Sequence, residues 1–265
     1  MVGPQFHAFL LQFNNIPKVR TGKILQQLQL LKTEKRSGFA VLADPDKMVA
    51  EDVPRLAKLC NEAGVDYLFI GGSLLLAHQM ELCITRFKEN SDIPVILFPG
   101  NPAQVSPLAD ALLYLSLISG RNADLLIGQH VVSAPLVKAS GLEVISTGYI
   151  LIDGGVQTTV SYMSNSMPIP ANKPEIALCT AWAGEMQGNH VIYMDAGSGA
   201  KNSISTGMIK KVSENIDIPL FIGGGISTPE KVRENCMAGA NIIVVGNAIE
   251  RDPMLIKELA QATRS

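Results

Sequence analysis

The chain has 265 residues, of which 47% are hydrophobic, 17% charged and 5% aromatic, and it contains 23 glycines and 15 prolines. This composition excludes a disordered or collagen-like chain, and the length suffices for one large domain with a buried core. The formal net charge is only −2 and no run of basic residues occurs, which argues against a surface for binding nucleic acids.

The sequence carries no signal for export or for a transmembrane segment. Residues 1–16 lack a basic start and contain several polar residues, unlike a signal peptide. The longest apolar runs fall well short of the roughly 20 residues that cross a bilayer. The four cysteines lie far apart and without metal-ligand spacing, which predicts reduced, buried thiols in a cytoplasmic protein.

Short apolar runs bounded by turn residues recur along the chain and predict eight strands. Such runs, apolar on both faces, are typical of parallel strands that helices cover on both sides. The runs are 39–43, 67–70, 95–98, 111–115, 144–147, 191–194, 220–222 and 242–245.

Amphipathic stretches fill most of the gaps between these strands and predict helices. They are 53–63, 82–88, 123–140, 175–187, 207–215 and 229–238. For the last of them, Thr228 before Pro229 is a start signal and Gly239 is a stop signal. Residues 21–35 predict a further helix that covers the bottom of the barrel, and residues 1–20 predict a loosely held extension.

The alternation of strands and helices predicts an α/β fold, a (β/α)8 TIM barrel that forms one domain over residues 21–265. A doubly wound open sheet is the main structural rival. Eight units that follow one another without a domain break favour closure into a barrel.

In a TIM barrel the active site lies at the carboxyl ends of the strands. The first strand is followed by Asp44 and Pro45, and the proline fixes a turn that holds the carboxylate at the barrel mouth. The second strand is followed by two glycines and Ser73, whose hydroxyl can bind an oxygen or a metal. A plain Asp-Pro turn and a glycine turn with a helix-capping serine remain open for these two sites. The rigid turn at 98–102 is a weaker candidate.

The sixth strand carries Tyr193 and Asp195, which point to the same side at the end of the strand. An acid and a phenol beside the glycine loop 197–199 are suited to hold a polyol and accept its proton. The glycines at 223–225 and at 246 follow the last two strands, where backbone N–H groups of such barrels commonly bind phosphate.

Other candidates for catalysis are weak. The histidines at 78, 130 and 190 are solitary and predict core or surface positions. Lys47 lies past the first turn, and no lysine ends a strand, so covalent catalysis by a Schiff base is disfavoured.

The ordered set of these motifs resembles the geranylgeranylglyceryl phosphate synthases and their bacterial relatives over about residues 25–260. The matching segments are 42–47, 70–73, 98–100, 193–200, 223–225 and 245–247, with Glu250 after them. The resemblance implies a TIM barrel that transfers a long prenyl group from a prenyl diphosphate to sn-glycerol 1-phosphate. It also implies Mg²⁺ as cofactor, pyrophosphate as leaving group and a place in ether-lipid synthesis.

By the family pattern, Asp44 and Ser73 match the Mg²⁺ positions. The residues that match the glycerol phosphate site are Tyr193, Met194, Asp195, Ala196, Gly197, Ser198, Gly199, Gly224, Gly225, Gly246 and Asn247. Asp195 and Tyr193 are the expected catalytic residues, and Asp195 is expected to orient the reacting hydroxyl and to accept its proton. The barrel mouth and an apolar groove between helices are expected to shelter the prenyl chain, whose length the sequence does not specify.

Two positions depart from the family pattern. Asp195 stands where the family more commonly has Glu, one methylene longer. Leu42 stands where one branch has Lys, which places the chain in the other branch and implies a homo-oligomer, a dimer or a hexamer. Transient contact with a membrane is a further expectation.

Two other functions fit the bare barrel. One is an isomerase or lyase acting on a phosphorylated small metabolite, which would require a second acid or base to act with Asp195. The other is a barrel that binds a phosphorylated ligand without turnover, which the loss of Asp44 or Asp195 would favour; both residues are present.

Overall fold

The computed structural model describes residues 22–73 and 79–264, and within them eight parallel strands close into a barrel. The strands are β1 (Gly38–Ala43), β2 (Tyr67–Ile70), β3 (Val95–Leu97), β4 (Ala111–Leu117), β5 (Glu143–Leu151), β6 (Val191–Asp195), β7 (Leu220–Gly223) and β8 (Ile242–Val245). Each strand pairs with the next along the chain, and β8 pairs with β1. The predicted TIM barrel is confirmed, and the open sheet is excluded. The predicted extension over 1–20 and the histidine at 78 lie outside the described residues.

Helices alternate with the strands in the described part of the chain. They are α1 (Lys23–Thr33), α2 (Val53–Ala63), α3 (Met80–Lys88), α4 (Gln129–Ser140), α5 (Thr159–Met163), α6 (Pro174–Met186), α7 (Thr206–Ser213), α8 (Pro229–Met237), α9 (Asn247–Arg251) and α10 (Leu255–Ala262). The start signal of α8 is confirmed, because the Thr228 side chain accepts a hydrogen bond from the Lys231 N–H. Gly239 follows this helix with a φ of 98°, a conformation that glycine favours.

The elements differ from the prediction in three places. Strand β5 continues to Leu151, four residues beyond the predicted end, because its later residues stay in register with β4 and β6. The predicted helix 123–140 is divided into a π-helical turn over Asp124–Gly128 and the α-helix α4. The short helices α5 and α9 and the C-terminal helix α10 were not predicted.

Helix α1 covers the amino-terminal end of the barrel, as predicted. Its buried Leu25, Leu28 and Leu31 pack in the same apolar cluster as the inward-facing side chains of the strands. The carboxylate of Glu143, at the start of β5, accepts hydrogen bonds from the N–H groups of Ile24 and Leu25, at 3.2 and 2.7 Å. These bonds satisfy free N–H groups of the first turn and fasten the helix to the barrel.

Alternation along the strands divides the buried side chains between two layers. On β6, Tyr193 belongs to the cluster inside the barrel, whereas Ile192 and Met194 belong to the cluster between the barrel and the outer helices. Side chains at the end of a strand therefore reach the mouth only if they share the inward parity.

Two further predictions concern the surroundings of the protein. No helix among the described residues is both long and apolar enough to cross a membrane. Cys60 and Cys83 are buried, as predicted, whereas the prediction of a buried thiol is wrong for Cys179, which is exposed.

Candidate active site

A cavity of about 670 Å³ opens at the carboxyl ends of the strands. It brings together residues that are widely separated in the sequence. The predicted site residues that line it are Asp44, Ser73, Tyr193, Asp195, Gly197, Ser198, Gly199, Gly224, Gly225, Gly246 and Asn247. Most of the sequence-predicted site is thus gathered at the mouth of the barrel.

Met194 and Ala196 do not line this cavity, in contrast to the other predicted substrate-binding residues. Both side chains are buried in the outer apolar cluster, because they have the opposite parity to Tyr193 and Asp195. The Ala196 N–H is also engaged, since it donates to the Gly223 carbonyl at 3.1 Å. The cavity wall at β6 is therefore formed by alternate residues and not by the continuous stretch.

The loops after β6, β7 and β8 form a surface that we call the glycine cradle: Gly197, Gly199, Gly224, Gly225 and Gly246. Gly224 has a φ of 81°, and a Cβ atom there would lie 2.7 Å from Asp195 Oδ1 and from the Gly197 nitrogen. Only glycine permits this close approach of the loops. The Ser198 hydroxyl donates to Asn247 Oδ1 at 2.8 Å and so joins the β6 loop to the β8 loop. The cradle offers backbone surface at which an anion can bind.

Asp195 is nearly buried, with 7% of the residue exposed, and both of its carboxylate oxygens accept hydrogen bonds. The Tyr149 hydroxyl donates to Oδ2 at 2.6 Å, and the Gly197 N–H donates to Oδ1 at 2.7 Å. Burial raises the pKa of Asp195, although these two hydrogen bonds act in the opposite direction. The carboxylate is consequently fixed in place and is a stronger base than an ordinary aspartate.

Tyr149 is a functional candidate that the sequence interpretation missed. It lies on the part of β5 beyond the predicted end of the strand, and its ring faces the inside of the barrel. The alternation of inward Ile145 and buried Thr147 would have placed Tyr149 inside as well, had the strand been continued.

Aromatic rings form the floor of the cavity beside Asp195. The Tyr193 ring lies 5.3 Å from Phe98, 5.4 Å from Tyr149 and 5.9 Å from Phe221, measured between ring centroids. Burial, followed by the charge of Asp195, raises the pKa of Tyr193 well above its ordinary value. Tyr193 therefore stays a neutral phenol at physiological pH.

Gln104 is a second residue that the sequence interpretation missed, and it joins the loops after β2 and β3. Its side-chain Oε1 accepts from the Gly100 N–H at 3.0 Å, and its Nε2 donates to the Gly72 carbonyl at 2.9 Å. Gln104 is buried, so these hydrogen bonds satisfy an amide that would otherwise be costly to bury. Through Gln104, the turn at 98–102 is joined to the loop that carries Ser73.

A group of charged side chains, which we call the charged rim, consists of Asp44, Lys47 and Glu250. The Lys47 ammonium lies 3.3 Å from Asp44 Oδ2 and 3.1 Å from Glu250 Oε2. Burial lowers the pKa of Lys47, but the hydrogen bond and charge of Glu250 and the charge of Asp44 outweigh this effect. The pKa of Lys47 is therefore raised above its ordinary value. Lys47 lines the cavity, although the sequence interpretation did not place it in the site. Its raised pKa keeps the side chain positively charged.

The oxygen ligands at the rim bear on metal binding. Asp44 and Ser73 line the same cavity, and Asp44 Oδ1 accepts a hydrogen bond from the Asp46 N–H at 3.1 Å, which orients the carboxylate. Within residues 22–73 and 79–264, no group of three or more His, Cys, Asp or Glu side chains could enclose a metal. One carboxylate and one hydroxyl fit an ion such as Mg²⁺, which keeps waters and takes phosphate oxygens from a substrate.

Part of the cavity wall is apolar and comes from β4, the turn before α4, α4 and α5; we call this part the apolar branch. Its lining includes Leu112, Leu115, Leu117, Leu125, Val137, Val160 and Met163. His130 lies in this branch, edge-on to the Tyr114 ring with the centroids 4.6 Å apart. Burial lowers the pKa of His130, which keeps the imidazole neutral and the branch uncharged. These side chains are the candidates for the expected apolar groove.

Comparison with known proteins decides the family. The model of the PcrB family matches residues 30–263, nearly the whole described barrel. The chain belongs to the PcrB family. Its resemblance to the geranylgeranylglyceryl phosphate synthases is confirmed by curated relatives that carry this name.

A relative from Chitinophaga pinensis is 60% identical over 227 residues, which cover 86% of this chain and 90% of the relative. A relative from Korarchaeum cryptofilum is 40% identical over 238 residues, 89% of this chain and 98% of the relative. Both are geranylgeranylglyceryl phosphate synthases.

A solved structure shares the fold over almost its full length. It is (S)-3-O-geranylgeranylglyceryl phosphate synthase from Thermoplasma acidophilum in complex with its substrate sn-glycerol-1-phosphate. The TM-score is 0.86 and the identity 28%, with 92% of this chain and 99% of that chain covered.

Proposed function

We propose that the protein transfers a geranylgeranyl group from its diphosphate to the hydroxyl of sn-glycerol 1-phosphate. The products are geranylgeranylglyceryl phosphate and pyrophosphate, in ether-lipid biosynthesis. The observation that carries this proposal is a single cavity that joins a glycine cradle, a buried carboxylate and an apolar branch. The names of the family's curated relatives support the same reaction and do not favour an isomerase or lyase.

The glycine cradle is assigned to the glycerol phosphate. Its backbone N–H groups would bind the phosphate, and Ser198 and Asn247 would hold the loops together around it. Asp195 lies beside the cradle, where the free hydroxyl of the glycerol would point. The substrate-bound relative from Thermoplasma acidophilum supports a glycerol phosphate site in this fold.

Asp195 is assigned as the general base. When the hydroxyl oxygen bonds to the allylic carbon, its proton would pass to the Asp195 carboxylate, and the carbon–oxygen bond to the diphosphate would break. The raised pKa makes the carboxylate a better proton acceptor near neutral pH. Tyr149 and Gly197 would hold the carboxylate while Tyr193 forms the cavity floor beside it.

Asp44 and Ser73 are assigned as ligands of Mg²⁺. The bound ion would supply positive charge that stabilises the departing pyrophosphate. The apolar branch would hold the prenyl chain and exclude water from the reacting carbon. The side chains that line it are largely aliphatic, which suits a long hydrocarbon chain.

We further propose that the protein is a cytoplasmic homo-oligomer, a dimer or hexamer, that contacts membranes transiently when it releases its lipid product. Exposed apolar side chains on and beside α4 support an interface between copies: Ile127, Val131, Val132 and Leu136. Sedimentation of the purified protein tests this proposal, since a monomer at micromolar concentration would contradict it.

A direct assay tests the transferase function. Purified protein, Mg²⁺, labelled sn-glycerol 1-phosphate and geranylgeranyl diphosphate are expected to yield a labelled product that extracts into organic solvent. Prenyl diphosphates of shorter and longer chains define the preferred length, and a reaction without diphosphate is the control. The absence of product with every chain length would overturn the proposal.

A further inference from the structure

Lys47 joins the loop after β1 to helix α9, which follows β8. It follows β1 in the chain, yet its ammonium contacts both oxygens of Glu250 on α9, at 3.1 and 3.3 Å, as well as Asp44. Glu250 and Asp44 are mostly buried, with 23% and 19% of their side chains exposed, whereas 47% of Lys47 is exposed. The ammonium therefore has acids on one side and the open cavity on the other.

The rest of the rim shows what this ammonium can reach. Lys47, Asp44 and Ser73 line the cavity, as do Gly246 of the cradle and Asn247, which lie on the same loop and helix as Glu250. A diphosphate that reaches from the proposed metal ligands to the substrate in the cradle would lie beside these residues. Arg251 also lines the cavity, but its Nε donates to the Asn247 carbonyl at 3.2 Å and so supports the cradle loop.

We propose that Lys47 binds the diphosphate of the prenyl substrate. Before the diphosphate binds, Glu250 pairs with the Lys47 ammonium, and the diphosphate then replaces Glu250 as its partner. The proposal rests on the proposed function and adds a residue to it. In the chain without substrate, two carboxylates neutralise one ammonium. A divalent ion that binds Asp44 together with the diphosphate would remove Asp44 as a partner of Lys47. The diphosphate oxygens would then offer the ammonium stronger hydrogen-bond acceptors.

This arrangement makes Glu250 a competitor of the diphosphate for one cation. Lysine suits such an exchange, because its ammonium is a point charge on a flexible stem that can turn from one acceptor to another. Loss of the lysine removes a contact to the diphosphate, whereas loss of the glutamate charge releases the lysine. The two substitutions therefore act on diphosphate affinity in opposite directions, although both break the same ion pair.

The test measures the binding of pyrophosphate to the full chain by titration calorimetry with Mg²⁺ present, for wild type, K47Q, K47R and E250Q. We expect K47Q to weaken binding by about tenfold or more, as the loss of a hydrogen bond to a charged group requires. We expect K47R to retain most of the affinity and E250Q to bind pyrophosphate more tightly than wild type. In steady-state assays, K47Q is expected to raise the KM for the prenyl diphosphate while the KM for sn-glycerol 1-phosphate changes little.

A role for this ion pair in loop structure alone predicts different results. It predicts that K47Q and E250Q weaken pyrophosphate binding alike, or that the KM values of both substrates rise together, and either result overturns the proposal. Thermal unfolding of each variant and binding of sn-glycerol 1-phosphate show whether the fold and the cradle are intact. Wild-type turnover with unchanged pyrophosphate affinity in K47Q contradicts only the role of Lys47. Pyrophosphate binding by wild type without any product contradicts the proposed function instead.

Discussion

The two sides of the cavity are built from different kinds of contact. The glycine cradle consists of backbone segments that approach one another so closely that a Cβ atom at Gly224 would overlap Asp195 and Gly197. The charged rim consists of side chains joined by ion pairs of 3.1 and 3.3 Å, and the Lys47 side chain at its centre is nearly half exposed. One side is therefore shaped before a ligand arrives, and the other can exchange its partners. This difference suits a substrate bound by shape and a leaving group bound by charge.

The largest expected effect lies between the two sides, at Asp195. Asp195→Asn keeps an oxygen that can accept the Gly197 N–H but removes the base, so we expect the kcat to fall by about 10² to 10⁴. Product formation under saturating substrates measures the effect. Retention of most of the wild-type rate would show that another group accepts the proton.

The same variant tests the cost of burying Asp195. Because the folded-state pKa of Asp195 is raised, its contribution favours folding at low pH and is lost as the pH rises through the folded-state pKa. As the pH rises from the ordinary carboxyl range toward neutral, wild type loses stability when Asp195 ionises, whereas Asp195→Asn does not. We therefore expect the free energy of unfolding of the variant, relative to that of wild type, to increase over this range. Urea unfolding at several pH values measures this difference, and a variant that loses stability relative to wild type over this range would contradict it.

On the charged rim, Asp44→Asn is expected to lower turnover by about a hundredfold or more, as the loss of an electrostatic group in the site allows. Binding of sn-glycerol 1-phosphate should change little, because the Asp44 side chain contacts Lys47 and the Asp46 N–H, whereas Ser198 and Asn247 join the loops of the cradle. Calorimetry with sn-glycerol 1-phosphate provides the comparison. Equal losses of binding and turnover would mean that the two sides are not independent.

On the cradle side, Gly224→Ala is expected to weaken sn-glycerol 1-phosphate binding by about tenfold or more, since the added Cβ forces two loops apart and adds left-handed strain. Gly188→Ala is the matched control. Gly188 also has a positive φ, 87°, but a Cβ there meets no atom within 4 Å. The control should lose stability, by about 1 to 2 kcal/mol, without losing affinity. Similar affinity losses in both variants would show that backbone strain alone explains the effect.

The smallest expected effect is that of Tyr149→Phe, which removes one hydrogen bond to Asp195. We expect the kcat to fall by about tenfold, the order of one charge-assisted hydrogen bond. The Tyr149 hydroxyl lowers the pKa of Asp195, so its loss raises that pKa further. Because the base acts when deprotonated, the acid limb of the kcat profile should move to higher pH. An unchanged limb would contradict the assignment of Asp195 as the base.

The pattern of residues along the chain is enough to predict the barrel and most of its mouth. Eight apolar runs with helical stretches between them specify the strands, because buried parallel strands need apolar residues on both faces. The residues at or just after the ends of those strands, among them Asp44, Ser73 and Asp195, necessarily lie at the same end of a closed barrel. Even the outward position of Met194 follows from the strand period, although the sequence interpretation included it in the site.

The contacts between these groups, in contrast, become visible only in the three-dimensional fold. Tyr149 and Asp195 are 46 residues apart in the chain, Gln104 and Gly72 are 32 apart, and Lys47 and Glu250 are 203 apart. Local propensity and periodicity carry no information on such pairs, because each contact depends on the register between strands and on the path of a loop across the barrel mouth. The chemistry of the base and of the charged rim is set by these long-range contacts.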